Sequence, residues 1–111
     1  MSNIIHEYTL PGGNSPYAEW LASLRDKRAQ ARIIMHVDRM ELDLLGDSKP
    51  IGPGLSELRI HYGPGYRVYY AKEAEHIYLI LCGGDKSSQR KDIKQAKTWW
   101  KEYKQRNRHD P

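Results

Sequence analysis

A chain of 111 residues makes one domain with a single modest core and is too short for two. Hydrophobic residues at 39% and charged residues at 29% fit a soluble globular protein, and no apolar run approaches the roughly 20 residues that span a bilayer. The opening MSNIIHEYTL has no basic n-region and no apolar h-region, so neither a signal peptide nor a membrane partner is expected, and the expected location is cytoplasmic. The lone Cys82 has no intramolecular disulfide partner and lies in the apolar run Ile77–Cys82, the place of a small core residue. The net charge of +4 is uneven. Between Lys86 and Arg108 nine Lys and Arg face only Asp92 and Glu102, a local excess of +7 that leaves the rest of the chain at −3. Charge gathered at one end points to a polyanionic partner more than the overall balance does.

Ile4–Leu10 reads as a first strand, ended by Pro11-Gly12-Gly13. Ser15 then caps a helix with Pro16 at its first position, and Tyr17, Trp20, Leu21 and Leu24 fall at i, i+3, i+4 and i+7, one buried stripe. Asp26 caps a second helix whose stripe is Ile33, Val37, Met40 and Leu44, with Gly46 placed to terminate it. Asp47–Gly54, DSKPIGPG, reads as a loop. Three strands follow, Ser56–Tyr62, Tyr66–Lys72 and His76–Cys82, with Gly63-Pro64-Gly65 turning between the first two. Gly83-Gly84-Asp85 is expected to break the last strand. Ser87 or Ser88 caps a final helix with Ile93, Ala96, Trp100 and Tyr103 inward, and Trp99 at the edge is a candidate for a partner interface. The order β-α-α-β-β-β-α is an α+β arrangement: a helical hairpin and a C-terminal helix on a mostly antiparallel four-stranded sheet. Residues 1–103 form the domain and 104–111 a basic tail expected to be disordered.

Alternation along the central strands decides where the polar groups go. Pairing Leu58, Ile60 and Tyr62 with Tyr66, Val68 and Tyr70 on one face forces Arg59, His61, Arg67 and Tyr69 onto the other. Like charges placed close together cost stability, so this cluster suggests an anionic partner. For Arg59 taken alone, an ion pair to Glu57 or Glu75 is the alternative. Tyr69 beside basic groups offers a platform on which a base stacks, as single-stranded RNA is commonly held, and Lys49, Arg90 and Lys91 extend the basic surface. The five histidines form no i, i+4 pair and have no neighbouring cysteine, so neither a metal nor any other cofactor is expected. Gly83-Gly84-Asp85-Lys86-Ser87 lacks the spacing of a nucleotide-binding phosphate loop.

The strings WLASLRD, ARIIMHVDRM, GDSKPIGPGLSELRIHYGPGYRVYY and LILCGGDKSSQRKDIKQAKTWW together resemble the RelE/ParE toxin superfamily. More narrowly they resemble its phage-derived, HigB-like addiction module killer proteins, over about Tyr17 to Trp100. The resemblance implies a RelE-like fold and the toxin of a bacterial type II toxin–antitoxin system, partnered by an antitoxin with a helix-turn-helix DNA-binding part. RelE and HigB relatives enter the ribosome and cleave mRNA; ParE relatives poison DNA gyrase. By resemblance Arg67 lines up with the strand arginine that stabilises phosphate charge and Lys86 with a second basic residue. Arg59 and His61 fall where the preceding strand supplies further basic groups. Asp92 stands where RelE has a catalytic tyrosine.

The leading expectation is a metal-independent endoribonuclease acting on mRNA at the ribosome. The RNA 2′-hydroxyl attacks the adjacent phosphate, Arg59, Arg67 and Lys86 stabilise the charge that develops, and His61 moves a proton, with Asp92 the next candidate. A gyrase inhibitor and a non-catalytic RNA-binding module are the alternatives. On this reading Arg67 is a surface charge whose removal leaves stability nearly unchanged.

Overall fold

The computed structural model describes residues 2–107. Five strands form one mixed sheet in the order β1-β5-β4-β3-β2, where β1 is Ile4–Glu7, β2 Asp47–Gly52, β3 Leu55–Ile60, β4 Tyr66–Ala74 and β5 Ile77–Asp85. β1 pairs parallel with β5, and every other neighbour is antiparallel. Helices α1 (Pro16–Ser23) and α2 (Lys27–Arg39) lie on one face, and α3 (Gln89–Arg106) covers part of the other. The α+β architecture is as expected, with one strand more.

That strand is the segment read as a loop. Asp47–Gly52 pairs with β3, setting Asp47 opposite Arg59, Ser48 opposite Leu58 and Lys49 opposite Glu57. Pro50 and Gly52 hid it, since both are poor strand formers in the middle of a sheet. At an edge a proline gives up no ladder bond, and a bulge between Pro50 and Gly52 absorbs the irregularity. The Tyr70 hydroxyl, donating to Ser48 Oγ at 2.8 Å, ties the strand to the sheet.

Local signals place the helices well. Ser15 Oγ accepts from the Ala18 amide at 3.1 Å with Pro16 at the first helical position, and Asp26 accepts from the Arg28 and Ala29 amides. Ala29, Ile33 and Val37 of α2 are buried, as is Met40 in the 3-10 turn that follows. Leu44 is exposed instead of continuing that stripe, because the helix ends earlier than Gly46. Asp43 ends the turn at φ +60, a left-handed conformation made tolerable by the Asn3 amide and Tyr78 hydroxyl that donate to its carboxylate at 2.7 and 3.1 Å.

β5 does not stop at Gly83. Successive residues of a strand face opposite ways, so Gly83 and Gly84 open the two faces of the sheet in turn. A Cβ on Gly83 would overlap the Trp20 ring of α1, and one on Gly84 would overlap the Asp92 carboxylate and Ser88 hydroxyl. The glycines let helices press on the strand from both sides; they do not break it. Asp85 then caps the 3-10 turn Lys86–Ser88, its carboxylate accepting from the Ser87 amide at 2.8 Å. Ser88 precedes α3 without capping it through its side chain. α3 continues through Arg106, three residues into the segment expected as a tail, and residues 108–111 of that tail lie outside the described residues.

Two apolar clusters result. One, under α1 and α2, holds Ile33, Met40, Leu58, Val68 and Ile80; the other, under α3, holds Tyr8, Tyr69, Leu79, Leu81, Cys82 and Trp100. Cys82 is the core residue expected, its thiol pushed up to about 12 by burial. No helix among the described residues is long and apolar enough to cross a membrane.

Candidate functional site

The register of β3 against β4 follows the apolar pairing. Leu58 faces Val68, Ile60 faces Tyr66, and Arg59 is therefore set directly opposite Arg67. Cross-strand partners share a face, so one row across the sheet reads Asp47, Arg59, Arg67, Gly84, and the next reads Lys49, Glu57, Tyr69, Cys82. The two arginines meet as the alternation demands.

What they meet over is Glu57. Its side chain is 1% exposed and takes Arg59 Nε on Oε2 at 3.2 Å, while Arg67 Nε stands 3.2 Å from Oε1. The Arg59 contact is a hydrogen bond. The Arg67 Nε–H is not aligned for one, so that attraction is Coulombic, and its Nη1 donates to the Gly65 carbonyl at 3.0 Å. The Gln89 amide of α3 donates to Glu57 Oε1 at 2.7 Å, and the Tyr69 hydroxyl lies 3.5 Å from the same oxygen. The like-charge repulsion that pointed to an outside anion is thus answered within the protein, as the ion-pair alternative for Arg59 anticipated. Arg67, 12% exposed on its side chain, is no surface charge.

α3 explains the rest. It covers the inner half of the cationic face, so Tyr69 is 0% exposed and its hydroxyl is pushed above the ordinary phenol range by burial, then by Glu57. Buried in this way, it offers no ring to a base; sequence alternation places it on the right face but says nothing of what lies on top. Trp99 does sit at the edge of α3, half-buried and stacked on Tyr8 with ring centroids 5.6 Å apart.

Beyond α3 the row opens to solvent. His61 follows β3, its side chain 75% exposed, with Nε2 2.7 Å from Asp47 Oδ2. A carboxylate only accepts, so the ring nitrogen facing it is the donor. His61 is joined to the arginines only by way of Asp47, the register partner of Arg59. At the other end Gly65 lies between the Arg67 guanidinium and the Lys86 side chain, with Lys86 exposed. Asp92 lies against Gly84, the register partner of Arg67, and its carboxylate accepts from the Ser88 hydroxyl at 2.5 Å. The Asp85 carboxyl is held below the usual range by the Ser87 hydroxyl and then by backbone amides, with Arg67 adding to the effect. Lys49 is exposed on the edge strand, and Arg90 and Lys91 are exposed at the start of α3.

The structure therefore gathers Arg59, Arg67, Lys86 and Asp92 along one end of the sheet, sets His61 at its rim and removes Tyr69 to the core. It adds four groups that strand alternation alone leaves unassigned. Glu57 holds the arginines, Gln89 holds Glu57, Asp47 holds the histidine, and Ser88 holds Asp92. The i, i+2 spacing of Glu57 and Arg59 was the visible signal for the first; Asp47 stood in a segment not recognised as a strand. Among the described residues no group of acidic, histidine and cysteine side chains is arranged to hold a metal ion.

A family model described as Phage derived protein Gp49-like (DUF891) matches residues 19–104. A Haemophilus influenzae protein described only as uncharacterized is 46% identical over 81 residues, which cover 73% of this chain and 82% of that protein. Residues 19–104 hold α2, α3 as far as Lys104, and the cluster from Asp47 to Asp92 just described. The chain belongs to the phage-derived Gp49-like family, a RelE-like family associated with toxin–antitoxin systems.

Proposed function

We propose that this protein is the toxin of a type II toxin–antitoxin pair and that it cleaves mRNA on translating ribosomes without a metal. The observation that carries the reading is the end of the sheet where an Asp47-oriented His61 flanks the Arg59–Arg67 pair. In-line attack by a 2′-hydroxyl needs an acceptor for its proton and positive charge at the phosphate. His61 supplies the acceptor. Arg59 and Arg67, held by Glu57 through their Nε sides, direct remaining N–H groups toward a phosphate, and Lys86 adds an exposed charge. Asp92, accepting from Ser88, is the next candidate for the proton transfer. The overall charge of +4 favours encounter with RNA. An antitoxin partner is supported by family membership and by the outer side of α2 and the turn after it, where Ile34, Met35 and Leu42 (66% exposed) stand in water.

Induced expression should halt amino-acid incorporation before thymidine incorporation, with cuts in translated mRNA. On programmed ribosomes His61→Ala should lower single-turnover cleavage by roughly 10²-fold or more while leaving the melting temperature unchanged, because the side chain is exposed. DNA synthesis stopping first, with intact mRNA, would replace this reading with a gyrase-directed one. Undiminished cleavage by His61→Ala would move the proton transfer elsewhere.

A further inference from the structure

α3 carries a second cationic feature, separate from the arginine pair. Arg90, Lys94, Lys97, Lys101 and Lys104 stand at i, i+4, i+7, i+11 and i+14, which places all five on one side of the helix. The row is about 21 Å long at 1.5 Å per residue. All five are exposed, and among the described residues none enters an ion pair. The two acidic residues of α3 lie off the row: Asp92 turns inward to Ser88 and Gly84, and Glu102 lies on another side. Lys97 reaches across Gly52 at the end of β2, and the Lys104 ammonium sits 5.0 Å from the centre of the Trp100 ring.

Such a row meets a ligand whose charge is itself a line. Two observations choose its kind. None of the large exposed apolar side chains lies on α3, so the row has nothing to hold the apolar face of a protein segment; those side chains are on β1, α2 and the residues just after α2. The aromatics of α3 are turned inward as well: Trp100 is buried, while Trp99 and Tyr103 pack with Tyr8. Single strands are held largely by stacking on exposed aromatics, whereas double-stranded RNA is recognised by shape and backbone contacts. We infer that the Arg90–Lys104 face of α3 is a track for the phosphate backbone of double-stranded RNA, beginning beside the candidate active site at Gln89 and running away from it. The inference rests on the RNA-directed reading above only for where such a duplex is met, as helical RNA of the ribosome. Its role is positioning, with no part in bond cleavage.

The test is fluorescence anisotropy of the full chain with a labelled 20-base-pair RNA duplex across a salt series, comparing wild type with Lys94→Gln/Lys97→Gln/Lys101→Gln. Each phosphate contact contributes about −0.9 to the slope of log K against log salt for a nucleic-acid duplex, so the triple variant should lose about 2.7 from the slope and bind on the order of 10²-fold more weakly at 0.1 M salt. Its melting temperature should match wild type, since glutamine is a good helix former and the positions are exposed. A slope equal to wild type overturns the proposal. So does tighter binding to a single strand of the same length, and so does tighter binding to a poly-glutamate peptide, which would assign the row to an acidic protein partner. Duplex binding that follows this pattern while translation continues in cells would keep the track and refute the toxin reading.

Discussion

Glu57 is where the two arginines can be separated from the fold that holds them. Glu57→Ala leaves two cations side by side across β3 and β4 with their shared carboxylate gone. Breaking a buried pair by removing one member costs about 3–5 kcal/mol. Arg59, one-third exposed, can recover part of this by turning to water; Arg67, 12% exposed and held at the Gly65 carbonyl, recovers less. The lower end, about 3 kcal/mol, therefore applies, and at roughly 4 °C per kcal/mol for a domain of this size the melting temperature should fall by about 12 °C. Glu57→Gln keeps the shape and an acceptor oxygen and should fall about half as far. Adding Arg67→Met to Glu57→Ala should regain stability, because the stranded cation is then gone. Scanning calorimetry at pH 7, supported by urea unfolding, reads all three. A Glu57→Ala protein melting within about 2 °C of wild type, or a double variant weaker than Glu57→Ala, would refute the claim that the carboxylate holds the arginines. Arg67→Ala, for the same reason, should lower stability measurably as well as activity, contrary to what a surface charge would do.

Gly83→Ala must displace the Trp20 ring and Gly84→Ala the Asp92 carboxylate with Ser88, so each should lower the urea midpoint by an equivalent of about 1–3 kcal/mol; midpoints equal to wild type would show that α1 and α3 lift freely from β5. The Asp43 carboxyl is held below the usual range by the Asn3 amide and then the Tyr78 hydroxyl, and that of Asp26 chiefly by the Tyr62 hydroxyl. A folded pKa below the unfolded one gives stability that is present above the unfolded value, near 4, and lost as pH falls through the folded value. Asp43→Asn should therefore destabilise at pH 7 and flatten the acid limb of the stability curve, and an unchanged acid limb would rule out the pairing as its source.

The chain by itself determined whatever depends on near neighbours. Ser15 with Pro16, and Asp26, mark their helix starts because a cap needs only amides two or three residues away. The register of β3 on β4, and with it the meeting of Arg59 and Arg67, follows from strict two-residue alternation. Tertiary structure decided everything that turns on what lies above a residue. Pro50 and Gly52 form a strand because they sit at an edge. Gly83-Gly84 continues one because Trp20 and Asp92 arrive from distant helices. Tyr69 and Glu57 share the face of the arginines, and only the descent of α3 onto that face makes the first a core residue and the second the anion that both arginines need. Periodicity assigns a side chain to a face; whether that face meets solvent, helix or ligand depends on long-range packing, which local pattern does not carry.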